Sequence, residues 1–152
     1  THTMKVIIGS DHAGFNYKTI LVASLLQNGY EVIDLGTNTE QPTDYPDHAA
    51  DVAEAILDGK GERGILICGS AVGVSIAANK FKGIRAGVCH DTYSAHQSVE
   101  HDDVNILCMG ERVIGIELAK DIVYAFLNAV FSGEERHIKR LEKIKALENK
   151  EL

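Results

Sequence analysis

Cys68 heads a glycine-punctuated turn, Cys68-Gly69-Ser70-Ala71-Val72-Gly73, at the end of an apolar β-branched run. A thiol beside free backbone N–H groups and a helix start is in the setting that favours a thiolate, hence a base or nucleophile. The competing reading is a small buried apolar residue at a strand end, and Cys89 and Cys108 are given that reading. The turn brings successive N–H donors together, as needed to hold an anion or a developing oxyanion, although a tight turn with no ligand has the same sequence. It is not a phosphate loop of the Walker type, because no Gly-Lys-Ser/Thr follows. A cysteine phosphatase needs an arginine where this chain has Val74.

Other candidates follow other apolar runs. Asp11 and His12 are an N-cap and a surface histidine, or a pair that holds sugar hydroxyls or a phosphate. His101 and Asp102 read as an acid–base pair or as a polar helix end. Arg112 closes a Gly-Glu-Arg turn. Arg136 and Arg140 are four apart and share a helix face, which suits a phosphate or a solvated surface paired with Glu134 and Glu135. His48 and His96 are read as structural or surface residues.

Short β-branched runs at 5–8, 31–35, 64–67, 85–89 and 105–109 are expected strands. Helical segments are expected over 15–28, 46–57, 73–80, 92–100 and 116–131, with His101 and Asp102 just beyond the fourth. This alternation predicts an α/β fold, a five-stranded parallel sheet covered by helices. Ligands of such sheets bind outside the carboxyl ends of the strands, where every candidate above except Arg136 and Arg140 falls. A last helix, 134–152, carries Ile138, Leu141, Ile144 and Leu147 on one stripe. A second copy of the chain or its own domain must cover that stripe.

The 152 residues carry 15 Lys plus Arg against 22 Asp plus Glu, a net charge of −7. That length suits one domain, expected over 4–152, with residues 1–3 expected to be a cloning remnant. Excess acid argues against nucleic acid as partner. No apolar run reaches the roughly 20 residues of a membrane span. Three cysteines without CxxC spacing fit a reducing, cytoplasmic setting and neither a disulfide framework nor a zinc site.

Several blocks, in order, resemble the type B ribose-5-phosphate isomerases, of the family that includes allose- and galactose-6-phosphate isomerases. They are Gly-Ser-Asp-His-Ala-Gly (9–14), Asp-Tyr-Pro-Asp (44–47), Gly-Ile-Leu-Ile-Cys-Gly-Ser (64–70), Ser-Ile-Ala-Ala-Asn-Lys (75–80), Gly-Ile-Arg-Ala (83–86), Gly-Glu-Arg-Val (110–113) and Ser-Gly-Glu-Glu-Arg-His (132–137). The resemblance implies a Rossmann-like three-layer α/β/α sandwich. It implies a homodimer, in some members paired into tetramers, with both subunits lining each site. It implies a sugar-phosphate substrate, isomerised through ring opening and an enediolate without metal or other cofactor. By the same resemblance Cys68 is the general base at C2, Gly69, Ser70, Ala71, Val72 and Gly73 form the anion hole, and Ser70 assists proton movement. His101 opens the furanose, Tyr45 lines the pocket, and Asp11, His12, Arg112, Arg136 and Arg140 hold substrate. Two positions depart from the pattern: Asp102, where Asn is usual, adds negative charge, and Ala71, where Gly is common, narrows the loop if its φ is positive.

Overall fold

Five strands, β1 (Lys5–Ser10), β2 (Glu31–Asp34), β3 (Arg63–Cys68), β4 (Ala86–Val88) and β5 (Ile106–Gly110), form one parallel sheet in the order β2-β1-β3-β5-β4. The computed structural model describes residues 4–150, so the expectations for 1–3 and for the last two residues lie outside it. Period-two alternation sends Val6, Ile8, Ile65, Ile67, Leu107 and Met109 to one face, and Ile7, Leu66, Cys68, Ile106 and Cys108 to the other. The first face is covered by α1 (Phe15–Gln27), α4 (Thr92–Asp102) and α5 (Ile116–Asn128), the second by α2 (Tyr45–Leu57) and α3 (Val72–Ala78). The result is the expected three-layer α/β/α sandwich. A final helix, α6 (Glu135–Glu148), follows α5.

The strands that carry the site run further than their apolar cores. β1 reaches Ser10 and β3 reaches Cys68, because Ser10 pairs with Ile67 and Cys68 with Gly110. Helix α5 stops at Asn128 rather than 131. There the Arg63 guanidinium takes the carbonyls of Phe126, Leu127 and Ala129, at 2.6, 3.1 and 2.6 Å. Helix α4 runs two residues past its expected end, so His101 and Asp102 lie in its last turn and not beyond it. Asp103, at φ 49°, ends it in the left-handed region.

The stripe on α6 is left half-open. Ile138 and Ile144 are 40% exposed and Leu147 69%. With Leu141 and Phe131, Ile138 and Ile144 line a groove of about 420 Å³ between α6 and the body.

One charge is fully inside. Lys18 of α1 is 1% exposed, and its Nζ meets Asp34 Oδ1 and Oδ2 at 2.8 and 2.7 Å. Asp34 also accepts the Gly36 N–H, and Gly36 and Thr37 pair with the backbone of Ser10. The buried ion pair therefore anchors the loop beside the residue that precedes Asp11. Asp34→Ala leaves Lys18 buried and unpaired, so chemical denaturation should show a loss of about 3 kcal/mol, at the low end because Asp34 is one-third exposed. Lys18→Met combined with Asp34→Ala should recover most of that loss.

Candidate active site

The chain runs from β1 out to β2 on one side and then returns to β3 on the other, so the loops after β1 and β3 part. At such a switch point a crevice opens. Here it is a cleft of about 340 Å³ lined by Asp11, His12, Ala13, Tyr45, Cys68, Gly69, Ser70, Gly73, Arg112 and Val113.

Cys68 is 5% exposed, at the floor. The Ala71 N–H donates to its Sγ at 3.1 Å. That bond needs the chain to double back, and Ala71 does so at φ 76°. An L-residue in this region costs roughly 1–2 kcal/mol, and the methyl is packed without exposure. The narrowing expected of Ala71 thus falls inside the core, behind the loop. The Val72 N–H donates to Ser70 Oγ at 3.3 Å. Two of the five donors expected for the anion hole are therefore used within the turn. The N–H groups of Gly69, Ser70 and Gly73 have no acceptor among the described residues and remain for a ligand.

Two glycines make the loop possible. A Cβ on Gly110 would stand 2.8 Å from both Gly69 O and Ser70 C, backbone atoms that cannot yield. A Cβ on Gly73 would stand 2.5 Å from Tyr45 Cε1, so Gly73 admits the Tyr45 ring to the rim.

Asp11 caps the turn that follows β1, its Oδ1 accepting from the N–H groups of Ala13 and Gly14 at 3.0 and 3.2 Å. His12 Nδ1 accepts the Thr43 N–H at 3.1 Å, which leaves the ring proton on Nε2 as a donor. His48 Nε2 lies 3.1 Å from Thr43 Oγ1, a structural role for that histidine. Arg112 donates its backbone N–H to Gly69 O at 3.1 Å. Its guanidinium lies against the Gly69 backbone, with no salt bridge among the described residues. The cleft therefore offers an unpaired cation beside a thiol and three free amides.

The remaining candidates are not brought to this cleft by a single chain. His101 stacks on His137 with ring centroids 4.3 Å apart. Gln97 Nε2, a donor, is 3.0 Å from His101 Nδ1, and Glu100 Oε1 is 3.4 Å from its Nε2. Asp102 lines a shallow pocket between α3, α4 and α6. Arg136 and Arg140 are exposed on α6, Arg136 paired with Glu134 at 3.2 Å. Ala71 and Val72 do not line the cleft, Ala71 because it is buried and Val72 because it stands 54% exposed outside it.

The stacked His137 was legible only as a neighbour of Arg136, and nothing in its spacing marks it as 2% exposed. His90 is a second supporting histidine: its Nε2 accepts the Gly110 N–H at 2.9 Å. Burial lowers the pKa of both rings, with His101 and Arg136 adding to the effect at His137. Cys89 and Cys108 are buried thiols whose pKa values burial raises, as suits apolar residues.

Both histidines are harder to protonate in the fold than in the unfolded chain, where histidine titrates at about 6.5. Their stabilisation is complete above that pH and is lost as the pH falls below it, because the unfolded chain gains protons first. Urea midpoints should fall between pH 7.5 and 5.5. His90→Gln, which keeps an acceptor but does not titrate, should make that fall shallower, and an unchanged slope would remove His90 from the effect.

Comparison with known proteins places this geometry. Residues 6–144 match the ribose/galactose isomerase family. Ribose-5-phosphate isomerase B of Escherichia coli is 52% identical over 146 residues, 96% of this chain and 97% of that protein. D-erythrulose-4-phosphate isomerase 2 of Mycolicibacterium smegmatis is 42% identical, over 95% of this chain and 97% of that one. The solved structure of Clostridium thermocellum ribose-5-phosphate isomerase B aligns with a TM-score of 0.93 at 52% identity, covering 95% of this chain and 97% of that chain. With the sheet order, the cleft and the thiol turn on these terms, the chain belongs to the ribose/galactose isomerase family.

Proposed function

We propose that this chain is an aldose–ketose isomerase that interconverts ribose 5-phosphate and ribulose 5-phosphate. The observation that carries the reading is the placement of Cys68 beneath a turn with three uncommitted N–H groups, beside Arg112, which has no salt bridge among the described residues. An isomerisation of this kind needs one base at C2, donors for the enediolate oxygens, and a grip on the remote phosphate.

Cys68, as thiolate, takes the proton from C2 of the open-chain aldose and returns it to C1. The free N–H groups of Gly69, Ser70 and Gly73 receive the charge that forms on the oxygen, where a well-placed donor is worth about 3–4 kcal/mol. Ser70 Oγ moves a proton between the two oxygens. Asp11 and the Nε2–H of His12 hold sugar hydroxyls, and Tyr45 covers the pocket. Arg112 holds the phosphate, and that remote grip orients the reacting carbon. The thiolate does this as a proton carrier, and no metal or other cofactor enters the scheme.

A second copy of the chain completes the site. His101, with Asp102 beside it, opens the furanose from across the interface, and Arg136 and Arg140 close on the phosphate. This is supported by their separation from the cleft within one chain and by the half-open stripe on α6. The three free thiols fit a cytoplasmic protein, and no described helix is long and apolar enough to cross a membrane.

The erythrulose-phosphate relative favours a second reading, the same chemistry on a four-carbon sugar phosphate. Turnover of ribose 5-phosphate, D-erythrulose 4-phosphate and allose 6-phosphate by the same preparation separates the readings: kcat/KM should be highest for the pentose, and a strong preference for either other sugar would overturn the assignment. Arg136→Ala should raise KM for ribose 5-phosphate about tenfold, as expected for one lost charge-assisted contact, with a smaller change in kcat. Unaltered KM and kcat would remove Arg136 from the site.

A further inference from the structure

We propose that Tyr17 and Glu111 are positioning residues: together they clamp the turn that carries Arg112 to the start of α1, and so set the guanidinium over the anion loop. This inference rests on the phosphate role given to Arg112 above.

Arg112 has a long side chain and no ionic partner among the described residues, so its placement depends on its backbone. On the cleft side that backbone is hooked to the thiol turn. Glu111 donates its N–H to Cys68 O at 2.9 Å, and Arg112 donates to Gly69 O at 3.1 Å. On the far side the turn is held by one residue of α1, which donates both of the bonds. The Glu111 carboxylate accepts the Tyr17 N–H at 2.8 Å, and the Tyr17 hydroxyl donates to Ile114 O at 2.7 Å. Both bonds are part-buried. Tyr17 lies in the first turn of α1, where N–H groups have no intrahelical acceptor, so the carboxylate satisfies an orphan donor at the positive end of the helix.

The clamp has two consequences for the cleft. Helix α1 follows directly on the turn that carries Asp11 and His12, so the two bonds tie the wall bearing those residues to the wall bearing Arg112. The Tyr17 N–H also occupies Oε1 of the carboxylate next to Arg112 in the chain. A free Glu111 would be the nearest competitor for the guanidinium. With Glu111 engaged by Tyr17, Arg112 is left open to an anion.

The test is binding of inorganic phosphate to the intact protein by calorimetry, with thermal melts as a check on folding. Glu111→Ala should weaken phosphate binding about tenfold, the scale of a lost bond to a charged group, while Glu111→Gln, which keeps an acceptor for the Tyr17 N–H, should stay within about threefold of wild type. Tyr17→Phe, which removes only the hydroxyl, should weaken it about threefold. Adding Glu111→Ala to Arg112→Ala should cost nothing further, since a clamp acts only through the residue it holds. Equal losses from Glu111→Ala with and without Arg112, phosphate binding by Glu111→Ala as tight as wild type, or no phosphate binding by the wild-type chain would each overturn the proposal. A chain that binds phosphate in this pattern yet fails to isomerise ribose 5-phosphate would overturn the assigned activity and uphold the clamp.

Discussion

Strand β3 is hydrogen-bonded to β1 on one side and to β5 on the other, and the register of those two ladders is the constraint on which the site depends. Ser10 sits opposite Ile67, and Cys68 sits opposite Gly110. Because all three strands are parallel, all three end at one level, and three different loops leave from there. The thiol, the Asp11–His12 pair and Arg112 meet because the ladders end together. A one-residue slip in β3 would turn Cys68 from the α2–α3 face to the opposite face of the sheet. The dry apolar layers on both faces oppose that slip, so the packing of Ile65, Leu66 and Ile67 is part of the chemistry.

Within the thiol turn, geometry divides a small supply of donors. Ala71 accepts an unfavourable φ so that its N–H can reach Sγ, and Val72 supports Ser70. What remains for a ligand is the set from Gly69, Ser70 and Gly73. In the proposed function, a chain with net charge −7 holds an anionic substrate by the same local means. Excess acid keeps the surface unattractive to polyanions, whereas Arg112 lies unpaired against the loop. On the proposed reading, small phosphates are recognised by that local cation and those amides, not by the field of the whole protein.

Much of this was legible in the amino-acid sequence, for physical reasons. The β-branched runs announce the strands, and Pro46 and Gly29 mark a helix start and a helix end, because their backbones allow little else. Strand ends were less legible. Ser10, Cys68 and Gly110 are drawn into the ladders by their neighbours and not by their own propensities. The grouping of Asp11, His12, Tyr45, Cys68 and Arg112 follows from the parallel sheet alone. His101 falls elsewhere because it sits in the last turn of α4, at the amino ends of β4 and β5, and Arg136 and Arg140 because α6 carries them. Contacts between residues far apart in the chain left no local pattern. Tyr17 meets Glu111 across 94 positions, and the His101–His137 stack joins two helices whose spacing predicts nothing about each other.

The central claim is that Cys68 moves the C2 proton. Loss of deuterium from [2-²H]ribose 5-phosphate to solvent, followed by NMR, tests it most directly. The wild-type protein should release label to water during turnover and carry the rest to C1, and Cys68→Ala should do neither while still binding the sugar phosphate. Release of label by Cys68→Ala at the wild-type rate would contradict the account.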